Sequence, residues 1–401
     1  MELTGILIVA AVVLVYATCA QRLSTTIVTG PMIFLMLGWV LAELGFFHLA
    51  SAESALHILA EVTLVIVLFS DASTIDVQAL CRRHKWPLRT LMLGLPLSML
   101  IGTMLGVVLL PDWPLWEVAL IAAILAPTDA ALGQAVVTNT AVPKRVRRAL
   151  SVESGVNDGL ILPAVLLFGG LSIGDLYGAQ DQNWFLFTAQ QISLGIGVGA
   201  ALGWFGGKFI AYSRARDISA PQLEGIAMFA LAGLCYVLAD ILGGNGFLAA
   251  FAGGSAFSAS QGKHDHPLTT FMEGEGTLLT LGTFLLVGLV LVPTAVDMVT
   301  WPIAGLVAAS LFIVRPVAIW LSLTGSDAST PVRLFIGWFG PRGLATVLFA
   351  LLIVSQIEGL PHRDEIISIA TLTALISALL HGATAAPAAR RFGPKMADFD
   401  D

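Results

Sequence analysis

The sequence predicts an all-α polytopic membrane protein of about thirteen transmembrane helices, arranged as two inverted six-helix repeats with one broken helix in each. Three observations carry that prediction. Only 12% of the 401 residues are charged and 57% are hydrophobic, whereas soluble domains carry roughly twice that charged share. Apolar runs long enough to cross a bilayer recur along the whole chain. Lys and Arg, finally, gather in alternate loops.

The runs fall at 3–20, 26–47, 55–75, 88–110, 115–137, 148–172, 185–212, 222–242, 245–259, 268–293, 301–323, 333–355 and 365–388. The first lacks a basic flank and a cleavage site, so it reads as a retained span. Arg22, the cluster Arg82-Arg83-His84-Lys85 and the cluster from Lys144 to Arg148 fall on one side, as do Lys208, Arg214, Arg216, Lys263, Arg333, Arg390, Arg391 and Lys395. Opposite loops such as "PDWPLWE" have none, and Arg363 alone breaks the pattern. The positive-inside rule then puts the N-terminus outside and the C-terminus in the cytoplasm of a cell membrane, the bacterial cytoplasmic membrane being the natural setting. Cys19, Cys81 and Cys235 have no disulfide or zinc spacing. The chain reads as one unit: residues 1–182 as the first repeat, 183–216 as a linking seventh span, 217–392 as the second repeat and 393–401 as a short tail.

An odd number of spans lets the linker turn the second half upside down, a common plan for secondary transporters. Matching oddities support it. Span 5 carries "LAPTDAALG", where Pro127 removes a backbone donor and should open the helix over Ala123 to Pro127. Span 12 carries "GWFGPRGLA", in which Gly340, Pro341 and Gly343 surround Arg342. Each is fifth in its half. Free carbonyls and half-helix ends at such breaks can coordinate ions at the midplane.

Span 6 carries "ESGVNDGL". At roughly 100° per residue, Glu153, Ser154, Asn157 and Asp158 occupy about 140° of the helix circumference. A charge facing lipid costs at least ~2.5 kcal/mol, so this face must look into the bundle. Ser154 and Asp158, four residues apart, point the same way. With Thr128 and the opened carbonyls of span 5 they supply the oxygen ligands that hard cations prefer. An intramembrane carboxylate can equally hold a proton. A group that holds either, never both, is an exchanger. Asn157 beside Asp158 leaves one titrating carboxylate at the site and hence a one-for-one swap. Glu153 and Arg342 read as a buried ion pair between spans 6 and 12, since neither charge is tolerable alone. Asp129 can offset positive helix ends, and Asp71 in "VLFSDASTID" can line the mouth of the site or join it. Arg315, beside Pro316, reads as structural, and His381 as a packing histidine.

"APTDA" at 126–130, "ESGVNDG" at 153–159, "GFLAAFAGG" at 246–254 and "GPRG" at 340–343 together resemble the signatures of the sodium/proton antiporters of the monovalent cation:proton antiporter superfamily. The Asn-Asp pair is similar to that of its electroneutral branch, and the resemblance runs from about residue 3 to 390. It implies two crossed broken helices (the sodium/proton antiporter fold), a homodimer, and elevator-like alternating access with no cofactor, catalytic residue or nucleic-acid partner. Its substrates would be a proton and sodium, or lithium, with potassium as the alternative. By position it makes Asp158 the ion- and proton-binding carboxylate and Ser154 and Thr128 further ligands of the alkali cation. Asn157 becomes the family amide, Asp129 the acid balancing the crossed half-helices, and Glu153 with Arg342 a stabilising pair; Asp71 falls near an acid close to the ion in some relatives. Many relatives carry a large regulatory tail, where only about ten residues follow Arg391 here, so pH sensing is expected from the site itself. An ion channel would want a continuous polar pore and a filter. An organic-anion transporter on a related fold would not need Asp158 beside an amide.

Overall fold

The computed structural model describes residues 2–23, 26–47, 49–74, 85–177, 184–261, 267–356 and 360–399, and every regular element among them is helical. In order these are α1 (Glu2–Leu23), α2 (Gly30–Glu43), α3 (Leu49–Ser73), α4 (Lys85–Leu109), α5a (Leu115–Ile124) and α5b (Ala130–Val137). Then follow α6 (Lys144–Tyr177), α7 (Trp184–Ala215), α8 (Pro221–Ile241), α9 (Gly246–Gln261) and α10 (Pro267–Asp297). The chain continues with α11 (Trp301–Ser322), α12a (Thr330–Trp338), α12b (Leu344–Gln356) and α13 (Arg363–Phe392), and closes in a 3₁₀ turn over Gly393–Phe399. Helices α1 to α13 follow the expected spans one for one. Arg82, Arg83, His84 and Lys263 of the basic clusters lie outside the described residues.

The halves α1–α6 and α8–α13 match position by position. The second helix of each is short, 14 residues in α2 and 16 in α9. The sixth is long, 34 residues in α6 and 30 in α13. The fourth of each widens into a π turn, Thr90–Gly94 in α4 and Ser310–Val314 in α11. Both π turns end two residues before a proline, Pro96 and Pro316. Proline has no N–H and its ring crowds the preceding turn, so one extra residue in that turn accommodates it without ending the helix. Packing is exchanged between halves: α2 lies against α10, and its counterpart α9 against α3.

Small residues allow that exchange. A Cβ on Gly38 of α2 would meet the Leu285 carbonyl of α10, and one on Gly288 of α10 would meet the Leu35 carbonyl. The small residues of α9 let it pack closely on both neighbours: Gly253 faces α7 at Gly203, and Gly254 faces the Phe69 carbonyl of α3 in the other half. The periphery is apolar, with Leu7, Phe205 and Phe209 all more than half exposed, as suits a protein whose outer solvent is lipid. The short tail is packed, with Met396 fully buried and Gly393 seated on the Ala141 carbonyl.

Candidate ion-binding site at the helix crossing

Pro127 and Pro341 sit in the two breaks. Between α5a and α5b the backbone leaves the helix over 125–129, slightly later than the expected opening, and between α12a and α12b over 339–343. The strands of the two breaks touch where Asp129 N–H donates to the Pro341 carbonyl at 2.8 Å. Four half-helix ends therefore converge, two with unpaired N–H groups and two with unpaired carbonyls.

One anion and one cation serve them. The Asp129 carboxylate accepts Leu132 N–H of α5b at 3.0 Å and Leu344 N–H of α12b at 2.6 Å, capping both N-termini. The Arg342 guanidinium donates to the Leu125 carbonyl at the end of α5a, at 2.8 Å, and to the Gly340 carbonyl beyond α12a, at 2.7 Å. Gly343 is required here, because a Cβ would strike the Asp129 carboxylate. His381 of α13 is satisfied as a packing residue, its Nε2 donating to the Trp338 carbonyl at 3.0 Å, with Ser377 beside Nδ1.

The polar face of α6 looks at this crossing. Thr128 Oγ1 lies 3.0 Å from Ser154 Oγ and accepts Asn157 Nδ2–H at 2.7 Å. Thr128, Ser154, Asn157 and Asp158 are all buried, and Asp158 Oδ1 has no hydrogen-bond partner. Asp158, Ser154, Asp129 and Asp71 line one cavity of about 390 Å³. It extends to Thr74, Val137 and Ser151, the end of the molecule where α3 and α5b finish and α6 begins with its basic cluster. On the other side α5a is buried from Glu117 to Ile124. There Glu117 Oε2 lies 2.7 Å from His362 Nδ1, and the His362 ring stacks on Trp113. Glu61, higher in α3, hydrogen-bonds Tyr236 of α8.

One expected pairing is overturned. Glu153 pairs with Arg315, not Arg342: Arg315 Nη1 donates to Glu153 Oε1 at 2.7 Å with both side chains buried. Arg342 instead turns Nε and Nη1 to the helix-end carbonyls. The π turn explains why Arg315 reaches α6. It immediately precedes Arg315, and one inserted residue rotates everything after it by roughly 100° about the helix. The sequence signal was Arg315 itself, a charge inside an apolar run next to a proline.

Two broken helices crossing beside a buried carboxylate, in an all-helical bundle of inverted halves, define a membrane transporter rather than an enzyme. Residues 8–391 match the model of the sodium/hydrogen exchanger transmembrane family, and the chain belongs to that family. Its fold is that of the sodium proton antiporter MjNhaP1 from Methanocaldococcus jannaschii at pH 8, with a TM-score of 0.78 at 21% identity over 98% of this chain and 100% of that one. It is 27% identical to the K(+)/H(+) antiporter NhaP2 of Shewanella baltica over 84% of this chain. It is 26% identical to the K(+)/H(+) antiporter NhaP of Alkalimonas amylolytica over 90% of this chain. The Probable Na(+)/H(+) antiporter C3A11.09 of Schizosaccharomyces pombe is 27% identical over 75% of this chain. The chain spans 58%, 62% and 41% of the lengths of those three relatives.

Proposed function

We propose that this chain is a secondary antiporter that exchanges a monovalent cation for a proton, one for one, across the cell membrane by alternating access. The observation that carries the reading is the Asp158 carboxylate, one oxygen unpartnered, at the inner end of a one-sided cavity beside the hydroxyls of Thr128 and Ser154. With the opened carbonyls of the α5 break these form an oxygen shell for an alkali ion. Asp158 alternates between a cation and a proton. Asp71, near the end of α3 where the cavity opens, attracts cations toward it, while Asp129 and Arg342 hold the crossing that presents the shell. The basic residues at the open end make that end cytoplasmic, so the conformation is inward-facing, with the N-terminus outside and the C-terminus inside. The working unit in this reading is a homodimer.

The cation in this proposal is sodium, in line with the names of the proteins from Methanocaldococcus jannaschii and Schizosaccharomyces pombe, and lithium is proposed as a second substrate. The K(+)/H(+) names of the Shewanella and Alkalimonas relatives favour potassium as a second reading. Inside-out vesicles test both: sodium, lithium or potassium is added singly to a preformed pH gradient. The proposed antiporter dissipates the gradient with sodium and lithium, and Asp158→Asn abolishes this with expression unchanged. Dissipation by potassium alone would select the second reading. Cation-driven proton movement that survives Asp158→Asn would remove Asp158 as the carrier.

A further inference from the structure

Behind the site, away from the large cavity, lies a second and much smaller space of about 10 Å³. It is lined by, among others, Glu153 and Asn157 of α6, Arg315 and Ile319 of α11, Ala126 of the α5 break, and Leu95 and Ser98 of α4. Three buried polar atoms around it have no partner: Glu153 Oε2, Asn157 Oδ1 and Arg315 Nε. The parent side chains are 4%, 2% and 3% exposed, so bulk solvent does not satisfy them. Each unpaired atom of this kind carries a heavy penalty in a low-dielectric interior.

We propose that a single bound water molecule occupies this space and ties the Glu153–Arg315 pair to Asn157, making Asn157 a positioning residue for the cation site. The hydrogen-bond inventory selects the occupant. Arg315 Nε–H is a donor, and Glu153 Oε2 and Asn157 Oδ1 are acceptors. Water accepts from the first and donates to the other two. The volume is about the least that holds one water. An anion would meet the Glu153 carboxylate and a cation the Arg315 guanidinium, so a neutral occupant fits.

The consequence reaches the site through one side chain. With its oxygen held by the water, Asn157 turns its amide N–H₂ to Thr128, where Nδ2 donates at 2.7 Å. Thr128 is thereby fixed 3.0 Å from Ser154, and both hydroxyls keep a set direction toward the Asp158 side. A reversed amide would present N–H₂ to the water, which would then have only Glu153 Oε2 to receive one of its two protons. The ion pair therefore orients the hydroxyl ligands without touching the ion, and this last step rests on the proposed antiport.

The test begins with a structure of the full chain in lipid nanodiscs at a resolution that reveals ordered water. Density within hydrogen-bond distance of all three atoms is expected. Direct contact between Arg315 Nε and Asn157 Oδ1, or a dry space, would overturn the water. Radiolytic labelling of the unmodified protein gives an independent reading: Leu95 and Ile319, beside the water, should oxidise faster than Leu120, buried elsewhere in α5a, and equal rates would count against it. The positioning role is tested by Ser98→Val, which pushes a methyl group into the space. The half-saturating cation concentration should rise about tenfold, as for other outer-shell losses, with the maximal exchange rate retained. An unchanged affinity in a variant whose structure lacks the water would overturn the positioning role. If the unmodified protein exchanges no cation at all, the antiporter reading fails, whereas the density and labelling results still decide the water.

Discussion

Asp129 and Leu344, 215 residues apart, are joined by a 2.6 Å hydrogen bond from the Leu344 N–H to the Asp129 carboxylate, whose other oxygen caps Leu132 in its own half of the chain. One side chain thus fastens the start of α5b to the start of α12b. Asp129→Asn keeps the shape but exchanges one acceptor for an N–H₂ donor, which would face a backbone N–H. Leaving one buried donor unpaired costs about 1–3 kcal/mol. The variant should therefore melt at a lower temperature in detergent than the unmodified protein. An equal melting temperature would mean that the cap contributes nothing.

The pairing of Glu153 with Arg315, and not with Arg342, is open to a double-mutant cycle. Removing one partner of a buried ion pair costs about 3–5 kcal/mol because the other charge is stranded. Glu153→Gln and Arg315→Gln should each destabilise by that order, and the double variant by much less than their sum. The coupling between Glu153 and Arg315 should exceed ~1.5 kcal/mol. Glu153 with Arg342→Gln should come closer to additivity, since Arg342 directs Nε and Nη1 to the Leu125 and Gly340 carbonyls and makes no hydrogen bond to Glu153. Stronger coupling to Arg342 would reverse the assignment.

Stoichiometry follows from the residue next to Asp158. Asn157 is an amide, so in the proposed antiport an exchange cycle would move one positive charge in each direction. Purified protein in liposomes, driven by a cation gradient and followed with a potential-sensitive dye, should acidify or alkalinise the lumen without building a membrane potential. A potential that grows with turnover would require a second titrating group, and Asp71, on the wall of the same cavity, would be the first to replace.

The spans, both breaks and the polar face of α6 were legible because each leaves a local mark. Hydropathy marks a span, Pro127 and the Gly340-Pro341-Gly343 cluster mark the breaks, and the offsets 153, 154, 157 and 158 mark a face. The partner of Glu153 was not legible. Which arginine reaches α6 depends on helix phase, and the phase of α11 is reset by a π turn whose residues, Ser310–Val314, are unremarkable apart from the proline two positions on. Arg342 looked available only because the carbonyls it serves belong to helix ends that meet in three dimensions. The neighbours of α9 were not legible either, because its glycines pack on α7 and α3, which come from distant parts of the chain. Local chemistry was readable, and the pairing of distant elements required the fold.

Outside the membrane-spanning segments, the loop 323–329 between α11 and α12a carries a clip with a defined pH dependence. Asp327 Oδ1 accepts Trp86 Nε1–H at 2.6 Å and Oδ2 accepts Arg145 Nη2–H at 2.6 Å, while the Arg145 guanidinium lies 4.0 Å from the Trp86 ring centroid. Slight burial pushes the Asp327 carboxyl up, but the hydrogen bonds from Arg145 and Trp86 outweigh it and hold it below its ordinary value of 3.8. A carboxyl depressed by folding stabilises the folded state above its unfolded pKa, and that contribution fades as pH falls through the lower, folded value. The clip should therefore be intact and pH-independent across the neutral range and weaken only below about pH 4. Because Asp327 is more than half exposed, Asp327→Asn should cost less than ~1 kcal/mol at neutral pH. Melting curves of both proteins in detergent, from neutral to acid pH, should run parallel and converge only at the acid end. A gap that opens or closes near pH 7 would assign the titration to another group.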